Sequence, residues 1–162
     1  MKTLHAQVMI LVVITSFFIT PSTYSANKPF VPENVQSLQV VSGRAGHEKL
    51  SPLFRANDGK GKLIITKVVK WINSTKPADG MIGSGSVKGG LPDYIEMKTN
   101  SGELFQVHLA WDCFHGTGWT TCNTVKGEVN IYDKHGGKRV SSLELYNWIK
   151  DGWKSEVISS LN

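Results

Sequence analysis

The chain has 162 residues and a formal net charge of +5 at pH 7, and 40% of its residues are hydrophobic. A chain of this length fits one domain rather than several. The basic residues are scattered, without the runs or patches typical of nucleic-acid-binding proteins. The composition therefore argues against a nucleic-acid partner, and the positive charge is explained by ordinary solubility.

Residues 1–25 have the pattern of a secretory signal peptide. Lys2 supplies a positive start, an uncharged apolar run follows from Val8 to Thr20, and small residues lie at Thr23 and Ser25 ahead of a cleavage site. The apolar run is shorter than the roughly 20 residues that span a bilayer. We therefore expect cleavage and no stable membrane anchor, so that residues 26–162 form a single mature domain that is secreted, periplasmic or part of the cell envelope.

The N-terminal half of this domain has one strong pattern. Residues 26–61 are rich in loop-forming residues and predict an extended leader, in which Val35 to Ser42 could form a first strand or a short helix. Residues 62–75 predict an amphipathic helix, because apolar side chains recur at helical spacing. These side chains are Ile65, Val68, Val69 and Ile72. The segment Gly80 to Gly90 is glycine-rich and predicts a loop.

After Pro92 the pattern changes to alternation. It predicts antiparallel strands near residues 93–99, 103–113, 124–133 and 138–140. The second strand alternates most cleanly and is expected to be buried on one face only. Its apolar face holds Phe105, Val107, Leu109, Trp111 and Cys113, and its polar face holds Gln106, His108, Ala110 and Asp112.

The last predicted element is a C-terminal helix near residues 142–151. Ser141 and Glu144 have the spacing of a capping box, Leu145, Trp148 and Ile149 share a stripe, and Gly152 is a natural stop. Residues 62–162 thus predict an α+β core. A small antiparallel sheet packs with the amphipathic helix and the C-terminal helix.

The only two cysteines, Cys113 and Cys122, lie at the end of one predicted strand and just before the next. In an exported protein, such a pair most simply forms a disulfide. A zinc site would use both cysteines with two of His108, Asp112 and His115. Structural zinc sites usually show two close ligand pairs, and only Cys113 and His115 are close here. We therefore expect a disulfide, no metal and no cofactor.

The loop between the cysteines is the favoured binding surface. Phe114, His115 and Trp119 lie within it, and a disulfide would hold these side chains outward if the loop does not fold back. The primary hypothesis is an exported, non-catalytic binding protein of the cell envelope or extracellular space. Its partner would be a protein, a polysaccharide or a small ligand outside the cytoplasm.

Two alternatives stay open. The first is a small secreted hydrolase that pairs His108 or His115 with Asp112 or Glu96. Against it, the chain has no G-x-S-x-G motif, a cysteine nucleophile would compete with disulfide formation, and His108 is more simply a solvated strand histidine. The second alternative is a structural envelope protein without a discrete site.

Overall fold

The structure is a computed structural model that describes residues 32–43, 48–82, 92–117 and 119–158. The predicted signal peptide, residues 1–25, lies outside the described residues, as does most of the glycine-rich loop, residues 83–90. Within the described ranges, no helix is long and apolar enough to cross a membrane.

The fold is a seven-stranded antiparallel sheet with helices. The strands are β1 (Val35–Val41), β2 (Phe54–Arg55), β3 (Lys76–Pro77), β4 (Tyr94–Thr99), β5 (Leu104–Gly116), β6 (Trp119–Asp133) and β7 (Gly136–Ser141). Their spatial order is β2-β1-β4-β5-β6-β7-β3. The helices are α1 (Gly59–Asn73), α2 (Leu143–Asn147) and α3 (Trp153–Ile158), with a π-helical turn at Trp148–Gly152 between the last two. An antiparallel sheet with helices is confirmed, but the sheet is larger than predicted.

Strand β1 occupies the segment of the leader that could form a first strand or a short helix, whereas β2 lies where only a loop was expected. Strand β1 lies inside the sheet between β2 and β4, and Val35, Leu38, Val40 and Val41 have no exposed surface. Because both faces of this strand are covered, its sequence lacks the alternation that marks a half-buried strand. Phe54, in β2, is also buried and belongs to the same core.

Helix α1 begins earlier than its apolar stripe suggests. Asp58 caps it and accepts a hydrogen bond from the backbone N–H of Gly61 at 3.0 Å. The predicted stripe, Ile65 to Ile72, is buried against the sheet. Gly61 is buried too, since the helix approaches β2 so closely that a Cβ at Gly61 would lie 2.3 Å from the carbonyl oxygen of Arg55.

The C-terminal helix differs from its prediction at both ends. Ser142, not Ser141, is the N-cap, and its hydroxyl accepts from the backbone N–H of Leu145 at 3.3 Å. Gly152 does not stop the helix, which continues through the π turn, where the Trp153 N–H donates to the Trp148 carbonyl. Trp148 and Trp153 are both buried in the core under the helices, and this burial outweighs the tendency of glycine to end a helix.

Candidate functional site

The hairpin of β5 and β6 extends beyond its neighbouring strands. β5 pairs with β4 as far as His108, opposite Tyr94, and β6 pairs with β7 from Glu128 onward. Farther out, β5 and β6 continue to pair with each other, from Trp111 opposite Thr124 to Gly116 opposite Trp119. We call residues 111–116 and 119–124 the arm.

A large bulge separates the arm from the sheet. Leu109 faces Val129 but Trp111 faces Thr124, so that Ala110 opposes residues 125–128. Gly127 permits this irregularity with a φ of 80°. A bulge shifts the alternation of side chains between faces. Trp111 was predicted on the apolar face with Leu109, yet its ring centroid lies 6.4 Å from that of His108.

A disulfide crosses the arm between Cys113 and Cys122. The two residues are paired directly across the ladder, with Cα atoms 4.0 Å apart and sulfur atoms 2.03 Å apart. The predicted disulfide is therefore confirmed, and the bonded sulfurs are not available as thiolate ligands or nucleophiles. In the described parts of the chain, no group of three or more His, Cys, Asp or Glu residues is placed to hold a metal.

The residues between the cysteines continue the two strands instead of forming the predicted loop. Phe114 pairs with Thr121 beyond the disulfide, and the Phe114 side chain is 62% exposed. His115 is exposed as well. Trp119 pairs with Gly116, and the Trp119 side chain lies outside the described part of the structure. Two of the three predicted binding residues are thus placed at the solvent-exposed end of the arm.

The sheet face beside the bulge buries polar side chains. Strand register aligns Tyr94, His108, Asn130 and Arg139 in one row across β4, β5, β6 and β7. His108 was expected to be solvated but is only 5% exposed, and Asn130 has no exposed surface. Alternation identifies the polar face of a strand, but it does not show what covers that face, and this is why the prediction for His108 was wrong.

Aromatic rings surround His108. Tyr94 stacks on the imidazole with a centroid distance of 4.4 Å and an interplanar angle of 10°. Tyr132 meets it edge-on at 5.2 Å, in addition to the neighbouring Trp111. Burial among these rings lowers the pKa of His108 from 6.5 to about 4, because the charged imidazolium loses its hydration. His108 is therefore neutral at pH 7.

Several polar atoms of this region have no hydrogen-bond partner in the described structure. They are Nδ1 of His108, Nε1 of Trp111 and Oδ1 of Asn130. The Asn130 side chain forms a hydrogen bond with the Tyr132 phenol, and this opposes the rise in the pKa of that phenol caused by burial. Each buried unpaired polar group costs about 1–3 kcal/mol. We call His108, Trp111 and Asn130 the polar cluster.

Arg139 joins the base of the arm to the sheet. Its side chain is 4% exposed, and its Nε donates to Glu128 at 2.6 Å while its Nη1 donates to Asp112 at 2.6 Å. Nη1 also donates to the carbonyl oxygen of Met81 at 3.0 Å. The hydrogen bond from Arg139 lowers the pKa of Asp112, so this carboxylate is ionised at pH 7. Arg139 was not predicted as a site residue, because in the sequence it is a lone arginine in a short predicted strand.

The structure separates His108 from the two carboxylates named in the hydrolase hypothesis. Asp112 is bound to Arg139, and Glu96 forms an ion pair with Lys49 at 3.2 Å. His108 has the side-chain oxygen of Gln106 at 3.3 Å from its Nε2, rather than a carboxylate. Glu96 is opposite Gln106 in the strand register and not opposite His108, which faces Tyr94 and Asn130. Among the described residues, His108 therefore lacks the histidine–carboxylate pair that this hypothesis requires.

Comparison with known proteins gives no relative on which to base a function. No protein family matches this chain, and neither does any curated protein or any solved structure. The function is therefore inferred from the geometry of the arm.

Proposed function

We propose that this is an exported, non-catalytic binding protein of the cell envelope or extracellular space, which contacts its partner with the tip of the arm. The observation that supports this most directly is the 62% exposure of Phe114 at the end of a disulfide-crossed arm. Large aromatic side chains are frequent among the residues that dominate binding energy. His115 and Trp119 would complete the contact.

The arm is held in place before any partner binds. The disulfide joins its two strands, and Arg139 binds Asp112 at its base. Cys113 and Cys122 are 9 positions apart in the sequence. A disulfide that closes a loop of this length lowers the entropy of the unfolded chain and so stabilises the folded state by about 2–3 kcal/mol. A preorganised surface loses less conformational entropy on binding, which favours affinity.

The partner that fits this surface is a macromolecule. Small-molecule sites are usually concave and enclose most of the ligand surface. The arm extends past β4 and β7, and its exposed Phe114 suits an apolar recess on a protein or polysaccharide. The signal-like residues 1–25 and the disulfide support a location in an oxidising, extracytoplasmic compartment.

The direct test removes the aromatic side chains of the tip. Wild-type protein is used to capture its partner from a native envelope extract, and the affinity of the purified partner is then measured. The double variant Phe114→Ala with Trp119→Ala should bind about tenfold more weakly or worse. Leu104→Ala is the matched control, because Leu104 is 48% exposed and begins the same strand far from the tip. If the folded double variant binds with unchanged affinity, the proposed surface is wrong.

A second experiment tests the preorganisation of the arm. Replacing Cys113 and Cys122 by serine should leave the core folded, because no arm residue belongs to the hydrophobic core cluster. The affinity for the captured partner should fall and the amides of the arm should exchange faster with solvent. Unchanged affinity would show that the disulfide does not prepare the arm for binding.

A further inference from the structure

We infer that the outer edge of β6 in the arm pairs with the same edge of a second copy of this chain and forms a two-fold symmetric dimer. This edge consists of residues 119–123, which pair with β5 on one side and lie beyond the point where β7 ends on the other. The contact uses the side of the arm and leaves the side chain of Phe114, on the other strand, for the proposed partner.

The backbone of this edge points away from the arm at alternate residues. In an antiparallel ladder, Cα atoms lie about 4.5 Å apart in pairs without hydrogen bonds and about 5.5 Å apart in hydrogen-bonded pairs. The Cα atoms of Cys113 and Cys122 lie 4.0 Å apart, so the N–H and C=O groups of Cys122 are directed outward. Two positions along the strand, those of Thr120 are directed outward as well. The edge therefore offers donors and acceptors to a further strand.

The described residues leave this edge without a neighbouring strand. Strand β7 pairs with β6 only from Glu128 onward, and no backbone hydrogen bond joins residues 119–123 to another described element apart from β5. Helix α2 limits the edge at its inner end, because the Tyr146 hydroxyl lies 3.4 Å from the Thr124 hydroxyl. The open part of the edge thus ends at Asn123 and has Thr121 at its centre.

The sequence of this edge lacks the features that usually keep exposed strands from pairing. Such strands commonly carry a charged side chain or a proline, or a bulge interrupts them. The segment Trp119 to Asn123 contains neither a charged residue nor a proline, and the bulge lies farther in, at residues 125–128. Threonine, which occurs twice in this segment, also favours strands. The edge is therefore suited to accept another strand.

A second copy is the partner that this edge fits, because the edge is complementary to itself. The outward groups of Thr120 and Cys122 lie symmetrically about Thr121. A two-fold axis through Thr121 therefore places Thr120 opposite the partner's Cys122 and allows both pairs of residues to exchange hydrogen bonds. Although the chain has a net charge of +5, no like charges meet across this contact.

The pairing closes at two copies. Each copy uses its β6 edge once, and the opposite edge of the arm carries Asp112, whose side chain is 52% exposed and whose charge opposes further strand addition. The dimer then contains a four-stranded sheet made of two arms. A contact of this length is small compared with the interfaces of stable dimers. We therefore expect a reversible dimer whose population depends on protein concentration.

Cysteine substitution tests the register. In Thr121→Cys, the two new cysteines face each other across the axis in a pair without hydrogen bonds, with Cα atoms about 4.5 Å apart and within disulfide reach. Mild oxidation should give a covalent dimer linked at residue 121, which mass spectrometry identifies. Asn123→Cys is the matched control, since Asn123 is exposed on the same strand. Its cysteines would lie about 14 Å apart in this register and should not cross-link.

Sedimentation equilibrium over a series of concentrations measures the association without any cross-link. The wild-type protein should show a monomer–dimer equilibrium. Thr121→Lys places two ammonium groups opposite each other at the axis and should weaken the dimer about tenfold or more. Asn123→Lys adds the same charge about 14 Å from its copy, which exceeds the screening length of about 8 Å at physiological salt, and should weaken the dimer much less.

Three outcomes would overturn the assignment. The first is a wild-type protein that stays monomeric up to its solubility limit. The second is a dimer that Thr121→Lys does not weaken, or equal cross-linking of Thr121→Cys and Asn123→Cys. The third is a Cys122 amide that is protected from hydrogen exchange only when the captured partner is added, which would assign the edge to that partner. Because the first two need no captured partner, failure of the dimer is distinguishable from failure of the proposed function.

Discussion

At the level of single residues, burial of His108 shifts its pKa strongly. The imidazole is 5% exposed and is stacked on Tyr94, with Tyr132 and Trp111 close by. Its protonation would place a charge among aromatic rings, and the pKa is lowered from 6.5 to about 4. The stability of the fold is therefore coupled to pH through the protonation of His108.

The stability of the protein should fall as the pH is lowered from 6.5 to about 4. Between pH 6.5 and about 4, the unfolded chain binds a proton at His108 and the folded protein does not. Protons therefore favour unfolding over this range, and the free energy of unfolding should decrease by about 3 kcal/mol at most. Urea denaturation at a series of pH values measures this change.

The matched comparison for this prediction uses a second histidine. His108→Gln should remove most of the pH dependence in the window, although it should also lower stability at pH 7. His135→Gln should retain the wild-type profile, because His135 is exposed in the turn between β6 and β7. Parallel profiles for the wild type and His108→Gln would show that another group is responsible.

At the level of elements, helix α1 depends on its close approach to β2. A Cβ at Gly61 would lie 2.3 Å from the carbonyl oxygen and 2.5 Å from the amide nitrogen of Arg55. Both atoms belong to the backbone and cannot rotate away as a side chain does. Gly59 lies two positions before Gly61 in the same helical turn, and a Cβ at Gly59 would meet nothing within 4 Å.

The two glycines should therefore respond oppositely to alanine. Gly61→Ala should lower the free energy of unfolding by about 1–3 kcal/mol, because the helix must move away from β2. Gly59→Ala should leave the free energy of unfolding unchanged or raise it by about 0.5–1 kcal/mol, because alanine has less backbone entropy than glycine in the unfolded chain. Chemical denaturation of both variants tests the pair, and equal effects would contradict the described contact.

The elements were predictable wherever one face met the core and the other met solvent. Helix α1 and strand β4 had that pattern and were predicted with small errors at their ends. Strand β1 was left undecided because it is covered on both faces. The polar cluster could not be predicted, because the sequence does not mark the bulge of residues 125–128 in β6, opposite Ala110, beside which Trp111 lies near His108.

At the level of the whole molecule, Arg139 connects parts that are distant in sequence. It binds Asp112 at the base of the arm, Glu128 in β6 and the backbone of Met81 after β3. The segment before Met81 also packs on it, since a Cβ at Gly80 would lie 2.3 Å from the Arg139 guanidinium carbon. One buried guanidinium thus links the orientation of the arm to the stability of the sheet.

Replacing Arg139 should affect both stability and the arm. Arg139→Leu leaves two carboxylates without their partner, and we expect a loss of about 2–3 kcal/mol. This is below the usual cost for a fully buried pair, because the Asp112 and Glu128 side chains are 52% and 26% exposed. In Arg139→Leu, the backbone amides of the arm should exchange with solvent faster than the backbone amides of β4. The control Lys138→Leu, at an exposed neighbouring position, should change neither quantity, and a similar effect there would contradict the role of Arg139.

The bulge divides the hairpin of β5 and β6 into two parts that tolerate substitution differently. The inner halves of β5 and β6 supply Val107, Leu109, Val129 and Ile131 to the core, whereas the described arm residues beyond Trp111 supply none. Substitutions in the inner halves are therefore restricted by packing. Those in the arm are restricted mainly by its disulfide and by the ion pair of Asp112 with Arg139. Variants can acquire new binding preferences at the tip without losing stability, so the two properties can evolve almost independently.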